Sequence, residues 1–520
     1  MVSVVCALVW PGALWLTALC LALLVAAYFD YQQTDHALWR NFPVLGRGRW
    51  VMEFLRPFFR QYFGESETDG APVNRMFRSV VYQRAKGARD TTPLGTRFDT
   101  YRDGYEWIAH SLKATHGPAK DAMRVQIGGP DCSQPYSASI LNISAMSYGS
   151  LSDNAILALN RGAAKGGFAH NTGEGGISPY HLEGGGDLVW QIGTGYFGAR
   201  TVEGRFDADA FTQNAQRENV RMIEIKLSQG AKPGHGGILP AAKNTPEIAA
   251  IRGVEAGTSV LSPPGHSAFD SPVGMMHFIA QLRELSGGKP VGIKLCIGEP
   301  AEFFSLCAAM VETGLAPDFV TVDGGEGGTG AAPLEFSNSV GMPVRDALVL
   351  VHDCLVGYGL REQVRVIASG KVFSAFHGVK LMCLGADAVN SARGMMLALG
   401  CVQSLICNTN ECPTGIATQE PHLKRGLVVS DKSERIARFH AATVEAMSEM
   451  LGAAGLHSTA ELKRSHVFRR VDHQSVKRYS DIFPSVAPGS FVGDGVPDQY
   501  SALVASATPD SYATAPVVSS

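Results

Sequence analysis

Short apolar runs alternate with longer segments from Ser139 onward. In the longer segments, such as 301–314 and 344–359, apolar residues recur about every 3.6 positions, which is typical of amphipathic helices. A strand that is covered by helices on both faces has a continuously apolar sequence. The pattern therefore predicts a parallel sheet with helical crossovers. The predicted strand regions are ILNISAMS, GGFAHNTG, MIEIKLSQG, PVGIKLCIG, DFVTVDGG, VRVIASG and ADAVNSA.

Polar and glycine residues stand at the C-terminal ends of these runs. A (β/α)8 barrel keeps its active site at the C-terminal ends of its strands. The sequence therefore favours the α/β class, with a (β/α)8 (TIM) barrel at its centre. An open doubly wound sheet is the alternative, although no GxGxxG motif opens a first βα turn.

The segment 4–28 is almost wholly apolar, and it is long enough to cross a bilayer of ~30 Å at ~1.5 Å per residue. Arginines follow it, which predicts a single-pass membrane protein with all later residues in the cytoplasm. A signal peptide and a buried core helix are the alternatives. A signal peptide would need a basic residue before the apolar run and a convincing cleavage site, and the sequence has neither. The arginines are Arg40, Arg47, Arg49, Arg56 and Arg60.

Four regions follow from these patterns. We expect a transmembrane anchor over 1–30, an extension over 31–120, the barrel over 121–465 and a C-terminal extension over 466–520. Arginines and aromatic residues alternate in 38–68, which suits either a lipid interface or a helix packed on the barrel. The last residues, 486–520, are rich in Ser, Ala, Pro and Gly and predict a disordered tail.

Composition narrows the class of function. The 520 residues carry a net charge of −3, so no basic excess points to nucleic acid. Ten cysteines in so long a chain do not predict a disulfide framework. The 58 glycines cluster in short runs between apolar segments, as expected of loops that approach a ligand closely.

Three of the cysteines, Cys401, Cys407 and Cys412, lie in one short stretch, and Pro413 follows the last. Soft thiolates gathered in a loop suit iron–sulfur or zinc. The paired CxxC or HxxxH spacing of zinc sites is absent here. Three thiolates without an obvious fourth favour a three-iron cluster, and three buried, idle cysteines are the alternative.

Several strand ends suggest a phosphorylated cofactor. Small residues in 144–149 would let a planar ring approach the backbone, and a glycine-rich loop, 323–333, follows a strand directly. A flexible loop is the other interpretation of 323–333, but its position after a strand favours N–H groups that face an anion. The segments 369–371 and 392–394 end two late strands, where such barrels bind phosphate. Lys294 on a central strand needs an anionic or electron-rich partner.

Other strand ends carry charges suited to a substrate. Glu174 follows the second run, Lys226 lies in the third and Lys232 follows it, and Arg252 comes later. Two lysines and an arginine at one mouth would hold a dicarboxylate. Salt bridges on the rim are the alternative for each of them.

These stretches resemble the FMN-binding central domain of glutamate synthase, over roughly residues 120 to 460. The resemblance implies FMN, a 3Fe-4S cluster on the three cysteines, and a site for 2-oxoglutarate or 2-iminoglutarate with Glu174, Lys226, Lys232 and Arg252 in catalytic or substrate contacts. It also implies a set of cofactor-binding residues. These are Met146, Ser147, Asn171, Gln229, Lys294, Asp323, Gly324, Gly327, Gly328, Gly370, Arg393 and Gly394.

The activity implied is reduction of 2-iminoglutarate, formed from 2-oxoglutarate and ammonia, to glutamate. Electrons would come from ferredoxin or an NAD(P)H reductase subunit. The N-terminal residues look like a membrane segment rather than a glutamine-hydrolysing domain, so ammonia would come from solution or a separate glutaminase subunit. Ile238 departs from the family, which has a glutamine there. A flavin oxidoreductase for another amine or oxo acid, and a membrane electron-transfer subunit, are therefore the alternatives.

Overall fold

A closed barrel of eight parallel strands lies at the centre of the computed structural model, which describes residues 13–493 and 495–512. Each strand pairs with the next along the chain, and the last closes on the first with Ser391 opposite Ile143. The predicted (β/α)8 barrel is confirmed, and an open sheet is excluded. The strands are β1 (Leu141–Ile143), β2 (His170–Asn171), β3 (Leu188–Ile192), β4 (Val220–Lys226), β5 (Val291–Leu295), β6 (Phe319–Asp323), β7 (Arg365–Ser369) and β8 (Ala388–Ser391).

Seven of the eight strands fall in the predicted runs, and β3 is the exception. Its five residues, LVWQI, are all buried. The run is short, follows three glycines and contains a glutamine, so it does not stand out as a strand in the sequence.

Helices cover the outside of the barrel and have the expected end signals. The helix Asp153–Gly166, for example, begins after Ser152, whose side chain accepts a hydrogen bond from the N–H of Ala155. It ends at Gly167, whose φ of 66° suits glycine. The helices from the barrel onward are Asp153–Gly166, Pro179–Glu183, Ala208–Ala215, Pro246–Arg252, Pro272–Leu285, Pro300–Thr313, Leu334–Ser339, Val344–Gly357, Ala375–Cys383, Arg393–Leu399, Pro421–Lys424, Val429–Ala453, Tyr479–Ile482 and Asp498–Ser506.

A hairpin of Arg124–Ile127 and Tyr136–Ser139 closes the N-terminal end of the barrel. Its Ile127 and Tyr136 join one buried apolar cluster with residues near the starts of the barrel strands, including Phe319. The ring of Phe319 lies so close to Gly292 that a Cβ there would be 2.5 Å from it. Because this end is filled by side chains, the opposite end is left for a ligand.

The C-terminal extension packs against the outside of the barrel. Phe491 and Tyr500 lie against Phe304, with ring centroids 5.6 and 5.9 Å from it. The composition of 486–520 predicts disorder, but these two aromatic residues anchor the segment, which contains the helix Asp498–Ser506. Residues 513–520 lie outside the described residues.

A buried ion pair between Arg464 and Asp353 of the helix Val344–Gly357 also contacts the C-terminal extension. The guanidinium of Arg464 donates hydrogen bonds of 2.5 and 3.2 Å to Asp353 and others to the carbonyls of Phe483 and Pro484. The hydroxyl of Tyr500 donates to the same carboxylate at 3.1 Å. A separate sheet is formed by three short strands, Glu106–Ile108, Val467–Arg470 and Val476–Arg478.

The chain divides into two compact units, up to Met76 and from Phe77 onward. The first unit contains the helices Ala13–Gln32, Ala37–Asn41 and Arg47–Phe59, followed by a π-helical turn over Arg60–Gly64. Among the described residues, Leu14–Gln32 is the one stretch long and apolar enough to cross a membrane, a test that a signal sequence also passes. The beginning of the predicted segment 4–28 lies outside the described residues. The helix Arg75–Lys86 leads into the second unit.

We expect Arg464→Met to lower the free energy of unfolding by about 3 kcal/mol, because it leaves the buried carboxylate of Asp353 without its cation. Thermal unfolding followed by circular dichroism measures the effect. The matched control is Arg161→Met, which removes a half-exposed pair with Glu183 and should cost less than about 1 kcal/mol. Equal effects of the two substitutions would contradict the role of the buried pair.

Candidate active site at the mouth of the barrel

A buried carboxylate, Glu224 of β4, organises the polar interior of the barrel. One oxygen accepts hydrogen bonds from Asn171 and Gln191 at 2.7 and 2.6 Å, and the other accepts from the hydroxyl of Thr321 at 2.7 Å. These three partners belong to β2, β3 and β6 or lie at their ends. The network fixes the strands around the site, because a buried carboxylate is stable only when its oxygens are hydrogen-bonded.

Glu174 lies at the centre of a group of cations above this layer. Its carboxylate is 2.8 Å from the ammonium of Lys226. Burial alone would raise the pKa of Glu174, but Lys226, Lys232 and Arg252 outweigh it and hold the pKa below the ordinary 4.5. Three cations therefore surround one ionised carboxylate, and two positive charges remain for an anion.

Lys232 and Arg252 are cations that burial destabilises. Burial lowers the pKa of Arg252 to about 10, although Glu174 opposes the shift. Burial and the nearby Lys226 also lower the pKa of Lys232. A dicarboxylate bound here would compensate both charges, because an opposite charge favours the protonated form.

Local structure positions the arginine. Arg252 is the last residue of the helix Pro246–Arg252, and it donates a 3.0 Å hydrogen bond to the carbonyl of Tyr148. Its guanidinium lies 5.1 Å from the centre of the Phe197 ring. Its Nε is buried and has no hydrogen-bond partner among the described residues. The guanidinium therefore retains a donor for a ligand.

His266 positions Lys226 from outside. Its Nε2 donates to the carbonyl of Lys226 at 2.9 Å, and its Nδ1 lies 3.1 Å from the hydroxyl of Tyr196. That hydroxyl accepts from the N–H groups of Ser267 and Ala268, so it donates its proton to Nδ1. Burial lowers the pKa of His266 to about 4, and the ring is a neutral positioning group rather than a fourth cation.

Three N–H groups at the start of the glycine-rich loop after β6 are used within the protein. The N–H of Gly324 donates to the carbonyl of Ser369 at 2.9 Å, and that of Gly325 donates to the carbonyl of Met342 at 2.8 Å. The N–H of Gly327 donates to the carbonyl of Gly324 at 2.8 Å. These three groups do not face an anion; for the rest of 323–333, the expectation of N–H groups that face an anion stays a prediction. These bonds instead hold the loop against the ends of β6 and β7.

Two cations next to this loop fit a phosphate. Arg393 donates to the carbonyl of Glu326 at 3.0 Å, and a Cβ on Gly328 would lie 3.0 Å from its side chain. Burial lowers the pKa of Arg393 and outweighs the nearby Asp323 and Glu326. Partial burial lowers the pKa of Lys371, and the positive charge of Arg393 lowers it further. A phosphate would supply the negative charge that these two side chains lack, so the residues present fit the phosphate of FMN.

The floor between the two anion sites is lined by close backbone contacts. Met146 and Ser147 are buried at the end of β1, and a Cβ on Gly173 would lie 2.7 Å from the N of Ser147. Lys294 of β5 is 3.3 Å from Asp323. Burial opposes its charge, but Asp323 and Glu224 outweigh burial and raise the pKa of Lys294. A permanent positive charge thus lies in the barrel mouth.

The three cysteines lie close enough to influence one another. Burial raises the pKa of Cys401 to about 11, with smaller contributions from Cys407 and Cys412. Burial acts on Cys412 too, but hydrogen bonds from the Thr414 side chain and from the N–H groups of Ala417, Thr414 and Ile416 lower its pKa. This backbone cradle suits a thiolate ligand.

No group of three or more His, Cys, Asp or Glu side chains in the described part of the chain is arranged to hold one metal ion. A three-iron cluster places each thiolate on a different iron, so its ligands lie farther apart than those of a single ion. The cysteine loop also borders the glycine loop, since a Cβ on Gly330 would be 4.0 Å from Cys407 Cβ. The 3Fe-4S cluster on these three cysteines stays a prediction.

Lys243 connects the cysteine loop to the segment that follows β1. Its ammonium donates to the carbonyls of Cys407 and Ala417, both at 2.8 Å, and to that of Ser150 at 3.2 Å. Sequence reasoning missed Lys243, because nothing local marks it.

The structure brings the predicted residues together in three places. Glu174, Lys226, Lys232 and Arg252 form the first, Arg393 with the 323–328 loop the second, and the cysteines the third. Asn171 bonds to Glu224 and to the N–H of Gly173, so its amide is used within the protein. Gln229 is half-buried in the turn after β4, and Gly370 and Gly394 follow β7 and β8. Glu224, Gln191 and Thr321 were missed, although each is a polar residue inside an apolar strand.

Comparison with known proteins agrees with this arrangement. Residues 125–457 match the family model described as the conserved region in glutamate synthase. The glutamate synthase large subunit-like protein YerD of Bacillus subtilis is 36% identical over 487 residues, which cover 86% of this chain and 92% of YerD. The chain belongs to the glutamate synthase family.

Other members of the glutamate synthase family match over a shorter span. The archaeal-type glutamate synthase [NADPH] of Thermotoga neapolitana is 35% identical over 320 residues, or 61% of this chain and 60% of that enzyme. The archaeal glutamate synthase [NADPH] of Methanocaldococcus jannaschii is 35% identical over 322 residues, which cover 62% of this chain and 60% of that enzyme. Among solved structures, mandelate oxidase with (S)-4-hydroxymandelic acid is similar at 15% identity and a TM-score of 0.45, over 76% of this chain and 99% of that chain.

Membership of the glutamate synthase family confirms the prediction of an oxidoreductase, since glutamate synthases act on CH–NH2 donors. It also supports the expectation of a flavin cofactor. The substrate, the cluster and the electron donor of this glutamate synthase family member stay predictions.

We expect Glu174→Gln to lower the free energy of unfolding at pH 7 by about 3 kcal/mol, because three buried cations lose their carboxylate. The lowered pKa of Glu174 stabilises the fold above pH 4.5, and this contribution is lost as the pH falls through the folded-state value. The difference from wild type should therefore shrink below pH 4.5 in thermal unfolding. The control is Glu183→Gln on the exposed pair with Arg161. A pH-independent difference would contradict the assignment.

Proposed function

We propose that this protein is an FMN and 3Fe-4S oxidoreductase of the glutamate synthase type, which reduces 2-iminoglutarate, formed from 2-oxoglutarate and ammonia, to glutamate. The observation that carries the proposal is the excess of two positive charges around Glu174, together with a second pair of cations, Lys371 and Arg393, beside the glycine-rich loop. A five-carbon dicarboxylate carries two negative charges, and FMN carries a phosphate.

Each residue around the substrate has a role that follows from its chemistry. Arg252 offers a planar guanidinium with a buried Nε that has no protein partner in the described chain, which suits a carboxylate. Lys232 supplies a point charge for the second carboxylate. Both are buried, so their attraction to an anion is stronger than at a water-exposed surface.

Glu174 acts as a hydrogen-bond acceptor in this proposal. Its pKa is held below the ordinary value, so it is ionised at pH 7 and has no proton to give. Lys226 occupies one oxygen at 2.8 Å. The other oxygen accepts from the substrate nitrogen and orients the carbon that is reduced, while the neutral His266 keeps Lys226 in place.

The cofactors would be held by separate sets of residues. Lys371 and Arg393 would hold the FMN phosphate, and Met146 and Ser147 would line its ring. FMN supplies two-electron transfer to an electrophilic carbon and accepts electrons singly. Lys294 places positive charge where negative charge on a flavin would develop. Cys401, Cys407 and Cys412 would hold the cluster, beside the glycine-rich loop.

The electron donor and nitrogen source are parts of the same proposal. The donor is a ferredoxin or an NAD(P)H reductase subunit that delivers electrons at the cysteine loop. Ammonia comes from solution or from a separate glutaminase subunit. The helix Ala13–Gln32 is the membrane anchor, with the barrel on the cytoplasmic side, and the arginines that follow the span support this orientation.

A second candidate is an oxidoreductase for a different oxo acid or amine. Ile238 is half-buried in a short hairpin with Leu261, directly after Gly237. A Cβ on Gly237 would lie 2.6 and 3.0 Å from the two carboxylate oxygens of Glu174, so Ile238 directly follows a residue that lies against Glu174. Titration with oxo acids of different length, followed by the flavin spectrum, separates the candidates. An electron-transfer subunit would show no response to any of them.

We expect Lys232→Met to retain FMN and to bind 2-oxoglutarate at least about 30-fold more weakly, because truncating one partner of a buried charge pair costs about 2 kcal/mol or more. The change in flavin absorbance on titration with 2-oxoglutarate gives Kd. Lys165→Met is the matched control, since Lys165 is half-exposed and pairs with Glu434. Unchanged affinity in Lys232→Met would contradict the substrate assignment.

We expect Cys407→Ser to lose bound iron while it retains the flavin, because a serine hydroxyl is a poor ligand for this soft cluster. Iron and flavin are measured on protein purified without oxygen. The control is Cys383→Ser, a buried cysteine of the helix Ala375–Cys383. Wild-type protein without iron, or an equal iron content in both variants, would contradict the cluster assignment.

A further inference from the structure

A buried carboxylate forms a corner in the N-terminal unit. Asp30, in the last turn of the helix Ala13–Gln32, accepts from the Nε and Nη2 of Arg47 at 2.9 and 2.5 Å and from the N–H of Val44 at 2.8 Å. Val44 has a φ of 62°, an unfavourable value for a β-branched residue, and the bond to Asp30 helps to hold it there. These contacts fix the direction in which the helix Arg47–Phe59 leaves the corner.

The helix Arg47–Phe59 and the turn after it have one narrow polar side. Arg49, Glu53, Arg56 and Arg60 recur at intervals of three and four residues, so they share one side. The opposite side is wide and apolar, and Arg47 is the one charged residue of this helix on it. The bond to Asp30 neutralises that charge. The apolar residues are Trp50, Val51, Met52, Phe54, Leu55, Phe58, Phe59 and Tyr62.

None of the residues of this helix is buried. Phe54 is 71% exposed, and the neighbouring Val51 and Phe58 are 51% and 49% exposed. The rings of Phe54 and Phe58 lie 5.9 Å apart and form one surface. A contiguous exposed surface of large apolar side chains marks an interaction site.

We propose that the helix Arg47–Phe59 lies in the plane of an anionic membrane surface, with its apolar side among the acyl chains and with Arg49, Arg56 and Arg60 on the lipid phosphates. A strong apolar side opposite arginines is typical of interfacial helices. The helix begins fifteen residues after the candidate span Leu14–Gln32 ends, and the corner sets its direction. The occupant is therefore lipid.

The corner itself has aromatic residues typical of a membrane boundary. Trp39 and Trp50 stand 5.2 Å apart between ring centroids, and His36 packs on both at 4.4 and 4.9 Å. Tryptophan concentrates at the headgroup level, because its ring is apolar and its N–H is polar. The inference extends the proposed anchor and does not depend on the reaction.

The test uses the full chain, with FMN and iron, in vesicles of phosphatidylcholine and phosphatidylglycerol. A photoreactive p-benzoylphenylalanine replaces Phe54 on the apolar side or Arg56 on the polar side, and mass spectrometry identifies the adducts. We expect lipid adducts at position 54 to be at least fivefold more abundant than at position 56. A third probe at Leu24 reports insertion of the span.

The adducts also test the role of charge. Replacing phosphatidylglycerol with phosphatidylcholine should lower the yield at position 54, and the triple variant Arg49→Gln, Arg56→Gln, Arg60→Gln should remove this dependence. Adducts from position 54 to residues 77–512 would overturn the proposal, because the barrel unit would then cover the surface. Equal yields of lipid adducts at positions 54 and 56 would also overturn the proposal. So would the absence of lipid adducts at position 54, whether or not the probe at position 24 forms them.

Discussion

The attraction between the half-buried carboxylate of Glu174 and three buried cations is the interaction on which the mouth of this barrel depends. Glu174 comes from the loop after β2, Lys226 from the end of β4, Lys232 from the following loop and Arg252 from the end of a helix. Without Glu174, three positive side chains would be buried together in a low-dielectric site, where their repulsion is large. With it, they are held in place and still carry an excess charge that attracts a dianion. The same arrangement therefore serves folding and binding.

A second layer supports the first. Glu224 joins three strands from inside the barrel, and Lys294 with Asp323 lies between that layer and the glycine loop. The cysteine loop is fixed to the same rim by Lys243, which contacts the carbonyls of residues 150, 407 and 417. The cations around Glu174, the glycine-rich loop and the three cysteines are thus joined by hydrogen bonds and ion pairs at one rim of the barrel.

The barrel could be predicted from the sequence, and so could the position of several charged residues at its mouth, because both have local signals. Parallel strands buried on two faces have continuously apolar sequences, and Glu174, Lys226 and Asp323 stand at the ends of such runs. Lys243, His266 and Tyr196 have roles that arise from contacts between residues far apart along the chain, which periodicity does not encode. The packing of Phe491 and Tyr500 could not be predicted either, because it depends on contacts with distant residues, and the composition of the C-terminal segment is typical of disorder. The membrane orientation of the first unit stays a prediction.

The measurement that tests the account most directly is a single-turnover experiment without oxygen. The purified protein is reduced until its flavin is bleached, and 2-oxoglutarate and ammonia are then added separately and together. The account predicts flavin reoxidation and formation of one glutamate per flavin only when both are present. No reoxidation with both present, or equal reoxidation with either one alone, would contradict the claim that the cations around Glu174 bind a dicarboxylate for reduction.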